Sequence, residues 1–375
     1  MSLSRQTYEE YFARIKSGDP SKLVVIIDEA QFVAKRDTSF MEAVAKLKKH
    51  KLYPGPVLII LATSSTVWAT QEAAEQFKGA EMKLESLNFL EVVRHFESLP
   101  VAEIVRIYGA IGGVPAYLDK WDAAKSFKDN ICRLVLTPSG ALYGEADAVI
   151  SAELRELSAY STILAAIARG ENKLNDIFHA TGFSRAKISV YLKNLATFNI
   201  VEKVVSFETG GWENAKKGVY QIKDTFVNFW FKFVYPNMSN LYLLSPEEFY
   251  DTYIEKELDA YLERYFREVC TEYLLILNQM GQLPFTIKRV GTWIGKTGRI
   301  DIVAQSEDRR SIIGFCNWDK PMMTMDMCEN MAMAMDQARI TSDDYYLFSA
   351  TDFEPALQSY VVRDPRFKLI NMNEL

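Results

Sequence analysis

The chain has 375 residues, 49% of them hydrophobic and 25% charged, with a formal net charge of −6. That is ordinary globular composition, long enough for two or three domains with cores of their own. It excludes a membrane-spanning helix, because no apolar run approaches roughly 18 residues, so no membrane partner is expected; it also argues against bulk nucleic-acid affinity unless charge is segregated by domain. Four scattered cysteines without CxxC spacing (Cys132, Cys270, Cys316, Cys328) predict neither a disulfide framework nor a zinc site, and fit a cytoplasmic location.

Tyr8–Ser17 places Tyr8, Tyr11, Phe12 and Ile15 along one side of a short amphipathic helix. Next comes Lys22–Gln31, KLVVIIDEAQ. Leu23–Ile27 is an unbroken, mostly β-branched apolar run, the pattern of a strand covered on both faces of a parallel α/β sheet. Asp28 and Glu29 stand at its C-terminal end, where open α/β sheets place their ligand sites. This is the shape of a Walker B element, whose Asp orients Mg²⁺ and whose Glu prepares the attacking water. A buried strand ending in a solvated turn is the alternative.

Thr38–Lys49 reads as a second helix, and Val57–Ala62 as another buried strand ending in Thr63, Ser64 and Ser65. Strand, helix, strand with polar residues at both strand ends follows the βαβ logic of a doubly wound sheet. One of those hydroxyls could sense a γ-phosphate; capping of the next helix by Ser64 or Ser65 is the local alternative. The sequence carries no G-x-x-x-x-G-K-[ST], and Gly109–Gly113 lacks the Lys, so the nucleotide site reads as half present.

Leu87–Tyr117 is helical with a break at Gly112-Gly113-Val114-Pro115, since paired glycines before a proline end a helix and redirect the chain. Ala159–Arg169 and Leu174–Thr181 form two further helices, and Ser184 caps a third, Arg185–Phe198. On it Ile188, Leu192 and Leu195 recur on one side, leaving Ser189, Lys193 and Asn194 on the open arc and Lys187 on its flank. Strands at Ile200–Phe207 and Val219–Ile222 flank a glycine turn, which completes a winged helix-turn-helix. Between Phe183 and Lys223 seven basic residues stand against three acidic ones, a positive window in an acidic chain. That is the electrostatic footprint of duplex DNA binding, with Arg185, Lys187, Ser189 and Lys193 at the groove and Lys216 and Lys217 on the wing. A protein-binding role is the competing reading. His50, His95 and His179 lie far apart and have no ligand spacing.

Asp224–Asn237 is too continuously aromatic to be exposed and predicts a hydrophobic joint. Ser245–Leu274 is helical, followed by strands at Thr286–Trp293, Gly298–Ala304 and Ser311–Trp318. A methionine-rich helix, suited to adaptable packing, comes next, then strands at Asp343–Ala350 and Phe367–Asn371.

The stretches ESLNFLEVVRHF, IYGAIGGVPAYLDKWD and the helices after them resemble prokaryotic AAA+/STAND-like ATPases, which carry a GGvPaYL signature after their Walker B and sensor strands. The C-terminal segment is similar to that family's PD-(D/E)xK nuclease-like domain, in which G-R-x-D precedes a strand reading like GECKW. The resemblance implies an α/β multidomain chain. A partial P-loop-type core occupies 1–85, a helical lid and linker 86–150, a winged helix 151–237 and a restriction-endonuclease-like α/β domain 238–375. It implies ATP and Mg²⁺ as cofactors, with Asp28 and Glu29 as inherited catalytic residues and Thr63, Ser64 and Ser65 as nucleotide sensors. Without the P-loop, neither cofactor is expected to bind this chain. In the nuclease-like remnant the resemblance places Glu268 and Asp301 at the family's acidic positions, while Phe315 and Asn317 stand where Glu and Lys belong. Phe cannot ligate a hard cation and neutral Asn cannot supply the charge, so no confident metal site and no catalysis are expected. Double-stranded DNA, a protein partner or a second copy are the expected partners; the alternative function is a non-enzymatic protein-interaction module.

Overall fold

Two units, Met1–Leu84 and Glu85–Leu375, each build a core of their own in the computed structural model. It describes residues 7–15, 22–49, 55–65, 67–77, 79–151, 154–207, 218–295 and 298–374. The whole is mixed α/β, about half helical, with several separate sheets.

In the first unit, Thr7 and Glu10 form a capping box that starts α1 (Tyr8–Ala13). Strand β1 (Leu23–Ile27) leads into α2 (Ala30–Ala34) and α3 (Thr38–Lys48). Strand β2 (Val57–Leu61) then pairs with β1 in parallel, Leu23 opposite Val57 through Ile27 opposite Leu61. A wide helical turn, Trp68–Ala73, runs on into α4 (Ala74–Phe77). Leu23 and Val25 join Phe12, Phe40, Val44, Leu47 and Trp68 in the core. The sequence predicts a sheet covered on both faces, and here the structure differs. Val24, Ile26, Leu58 and Ile60 are 43–66% exposed, because the packed helices cover one face of the pair and nothing among the described residues of this unit covers the other.

The second unit opens with α5 (Phe89–His95), α6 (Val101–Ile111), α7 (Pro115–Leu118), α8 (Phe127–Ile131) and α9 (Glu145–Ser151). The break at 112–115 needs both glycines. Gly112 takes a left-handed φ of +69°, and a Cβ on Gly113 would fall 1.9 Å from the Leu87 carbonyl oxygen. There follow α10 (Leu157–Ala168), α11 (Leu174–Thr181), α12 (Arg185–Thr197) and an antiparallel pair, β3 (Val201–Val204) with β4 (Val219–Ile222). The hairpin tip lies outside the described residues.

The aromatic run begins in the short helix α13 (Thr225–Phe229) and continues to α14 (Met238–Leu241); its Phe226, Phe229, Trp230, Phe231 and Phe233 are all buried. The predicted single helix after Ser245 is two, α15 (Pro246–Tyr253) and α16 (Glu255–Gln279), divided at Ile254. Strands β5 (Arg289–Ile294), β6 (Arg299–Gln305) and β7 (Ser311–Asn317) form an antiparallel meander. A short β8 (Met322–Met323) precedes α17 (Met325–Ala338), then come β9 (Asp344–Ser349), β10 (Asp352–Phe353), α18 (Pro355–Arg363) and β11 (Phe367–Asn371). The main sheet runs β11-β9-β7-β6-β5, with β7, β9 and β11 parallel.

Period-two alternation sends Ile302, Ala304 and Ile312 into the large core that includes α16, and Val303, Ile313 and Leu347 into a second core that includes α17. Met323, Met331 and Met335 are buried in that second core, while Met322 and Met333 stay exposed. Much of the methionine cluster therefore fills the chain's own sheet. The large core is continuous from Phe89 to Met372. Glu272 of α16 reaches its start: the carboxylate accepts the Phe89 and Leu90 N–H groups at 3.0 Å each and so caps α5 from across the fold.

Candidate functional site

Parallel pairing brings the polar ends of β1 and β2 together in the first unit. The Ala62 N–H donates to Ile27 O (2.9 Å) and the Ala30 N–H to Ala62 O (3.0 Å), which sets residues 28–31 beside 62–65. Glu29 takes a left-handed φ of +47°, an uncommon conformation for a side chain of its size. Its carboxylate accepts from Ser64 Oγ (2.9 Å), the Ser64 N–H (3.2 Å) and the Gln31 amide. The Gln31 and Ser64 hydrogen bonds hold its pKa below the ordinary carboxylate value. Thr63 Oγ1 donates to Gln31 Oε1 at 2.6 Å and extends this chain of polar groups. Gln31, 2% exposed, is its hub and was invisible to motif reading. Asp28 is exposed and, among the described residues, accepts only the Glu29 N–H, at 3.0 Å. Ser65 takes the capping alternative, its Oγ accepting from the Trp68 N–H at 3.4 Å.

In the second unit, α12 buries Ile188, Tyr191, Leu192 and Leu195 and exposes Arg185, Lys187, Ser189, Val190 and Lys193. The cations at its start are held in place. The Arg185 guanidinium lies 4.2 Å from the Phe178 ring centroid and donates twice to Asn175 Oδ1 (2.7 and 3.1 Å). The Lys187 ammonium sits over Phe183 (4.4 Å) and near Tyr191 (5.3 Å). Ser189 Oγ donates to Arg185 O at 2.9 Å. Asn194 departs from the sequence reading: half-buried, it donates to Tyr160 Oη at 2.8 Å and leaves the open arc. Lys216 and Lys217 lie outside the described residues.

Farther on, Asp301 is 6% exposed on β6 and is ringed by cations. Arg299 Nε donates to it at 3.0 Å, Arg267 Nε stands 3.8 Å away, and the Cys316 N–H donates to its other oxygen at 3.1 Å. Burial and the adjacent Arg299 lower the Arg267 pKa. Glu268, one residue on, turns instead to Arg264 Nε at 2.9 Å. Phe315 packs toward the α17 core. Asn317 is 2% exposed and holds a turn, donating to Ser349 Oγ (3.1 Å) and Lys320 O (3.2 Å). Among the described residues, no group of three His, Cys, Asp or Glu side chains could hold a metal ion. Nor, among them, is any helix long and apolar enough to cross a membrane.

Residues 230–333 match the DUF234 family model, described as archaea bacterial proteins of unknown function. That span takes in Arg267, Arg299 and Asp301. An uncharacterized protein of Methanocaldococcus jannaschii is 28% identical over 323 residues, covering 84% of this chain and 71% of that protein. The similarity is thus to prokaryotic proteins. Against solved structures, a Vibrio cholerae protein aligns over 94% of this chain and 88% of its own, at 10% identity and a TM-score of 0.25, too low to carry an argument.

The acidic ligands that the resemblance assigns to Mg²⁺ in the second unit do not fit the ion. Two guanidinium groups already flank Asp301, and its supposed partner carboxylate faces elsewhere.

Proposed function

We propose that the chain is a DNA-associated, non-catalytic protein that contacts duplex DNA through the exposed face of α12. The observation that carries this is the division of that helix into a buried apolar side and an exposed face bearing Arg185, Lys187, Ser189, Val190 and Lys193. Arg185 and Lys187 are braced on aromatic rings, so less side-chain entropy is lost when they meet phosphates. Three helices followed by an antiparallel strand pair support a winged-helix reading of this segment.

In this reading the carboxylates of both α/β regions are remnants. Asp28 and Glu29, with Thr63, Ser64 and Ser65, are read as an ATPase strand tip, and the helix, strand, strand order of α16, β6 and β7 supports the nuclease-like reading of the region around Asp301. Neither turns over: the first lacks a phosphate cradle among the described residues, and at the second guanidinium groups take the metal's place. Supercoiled plasmid incubated with the protein and Mg²⁺ should stay intact, and Mg-ATP should give no saturable rise in melting temperature. Cleavage abolished by Asp301→Ala, or a saturable rise abolished by Asp28→Asn, contradicts the reading.

One observation favours the alternative of a protein-interaction module. Val24, Ile26, Leu58 and Ile60 form a contiguous exposed apolar face on the β1–β2 pair, the kind of patch that another polypeptide covers. Concentration-dependent self-association, removed by Ile26→Asp, would assign that face to a second copy.

A further inference from the structure

A cavity of about 520 Å³ opens between the start of α6, the start of α8 and the facing ends of α15 and α16. Its volume falls in the range of small-molecule sites. Its charges are only partly satisfied by one another. The Arg106 side chain on α6 is 42% exposed, while its buried Nε–H has no hydrogen-bond partner among the described residues, so its terminal nitrogens are the ones a ligand can reach. The nearest carboxylate among the described residues, that of Glu103 one turn earlier, stands 3.8 Å from its Nη1, beyond hydrogen-bond length. Glu103 is itself largely covered, and burial raises its pKa against the pull of Arg106.

Across the cavity, Glu255 opens α16 and is exposed, and among the described residues it makes no ion pair. The neighbouring Tyr250 is buried, and burial together with the charge of Glu255 and a hydrogen bond to it raises the phenol's pKa. Of the other charges at the rim, Lys128 is committed to Asp251 at 2.5 Å and Asp259 to the Trp318 indole N–H at 3.1 Å. Lys125 at the rim stands 3.9 Å from Asp122, also beyond hydrogen-bond length, so what remains open is the Arg106 guanidinium and the Lys125 ammonium together with the Glu103 and Glu255 carboxylates, beside buried Phe127 and Leu258.

A guanidinium with exposed terminal nitrogens takes a carboxylate, and carboxylates that no cation hydrogen-bonds take an ammonium. We propose that this cavity binds a small α-amino acid, its carboxylate on Arg106, its ammonium between Glu103 and Glu255, and its side chain against Phe127 and Leu258. The site is independent of α12 and of the strand-tip carboxylates, so it stands or falls apart from the DNA-binding reading.

The test is isothermal titration calorimetry of the full chain with glycine, L-leucine and L-phenylalanine, and with the amide and N-acetyl derivatives of the latter two. The expected result is saturable binding of leucine or phenylalanine with a Kd of about 1 mM or tighter, glycine weaker, and both derivatives weaker by about tenfold or more. Arg106→Gln and Glu255→Gln should each lower the affinity by about tenfold. Glu255 is exposed, so its variant keeps the test standing should Arg106→Gln fail to fold. No saturable heat with any of the three amino acids at about 10 mM overturns the proposal. So does binding that the amide, the N-acetyl derivative or Glu255→Gln leaves unchanged.

Discussion

Two carboxylates at the ends or edges of strands, Glu29 and Asp301, met opposite fates. Glu29 is held by neutral donors, the Ser64 hydroxyl and amide and the Gln31 side chain, so its negative charge survives at the surface beside exposed Asp28. Asp301 is buried and its charge is answered by Arg299 and Arg267. The first arrangement leaves an anionic site that can still meet a cation. The second balances a buried carboxylate with protein cations, which makes it part of the fold.

Removing each carboxylate separates the two cases most sharply. Asp301→Ala leaves Arg267 and Arg299 without their buried counter-charge, and should cost about 3–5 kcal/mol in urea unfolding. Asp28→Ala, at an exposed position with one local hydrogen bond, should stay within about 0.5 kcal/mol. Equal losses would break the comparison. Between these extremes, Ser64→Ala removes the hydroxyl bonded to Glu29 and should cost about 1 kcal/mol.

The smallest effect is on the acid side. Hydrogen bonds from Gln31 and Ser64 depress the Glu29 pKa in the folded state below its ordinary value of 4.5. Its stabilising contribution is therefore fully present above that value and lost as pH falls through the folded pKa. Glu29→Gln should flatten the acid limb of thermal melts recorded between about pH 3 and pH 7. An unchanged limb would show that Glu29 titrates normally.

How much of this was legible in the sequence depended on the range of the forces involved. The β1 and β2 runs, the Gly112-Gly113 break and the buried side of α12 follow from local spacing and backbone preference, and chain reading located them. Glu29 and Ser64 were legible as strand-tip residues, but Gln31 as their hub was not, because its role exists only once two strands pair. Arg267 escaped for the same reason: nothing local marks a basic residue as the partner of an acid that lies across the fold, whereas Arg299 stands two residues from Asp301 on β6, within the G-R-x-D stretch itself. Asn194 faced inward because Tyr160, a helix away, offered its hydroxyl. The exposed face of β1–β2 was missed because an unbroken apolar run reads as two covered faces, and only the layers packed on it decide.

The central claim is that α12 meets DNA, and fluorescence anisotropy of a labelled duplex titrated at two salt concentrations tests it directly. Saturable binding that weakens with salt is the expected result. In Lys187→Ala/Lys193→Ala the salt slope should fall by roughly one for each phosphate that the helix no longer neutralises. No binding at low salt, or binding that the double substitution leaves unchanged, would contradict the claim.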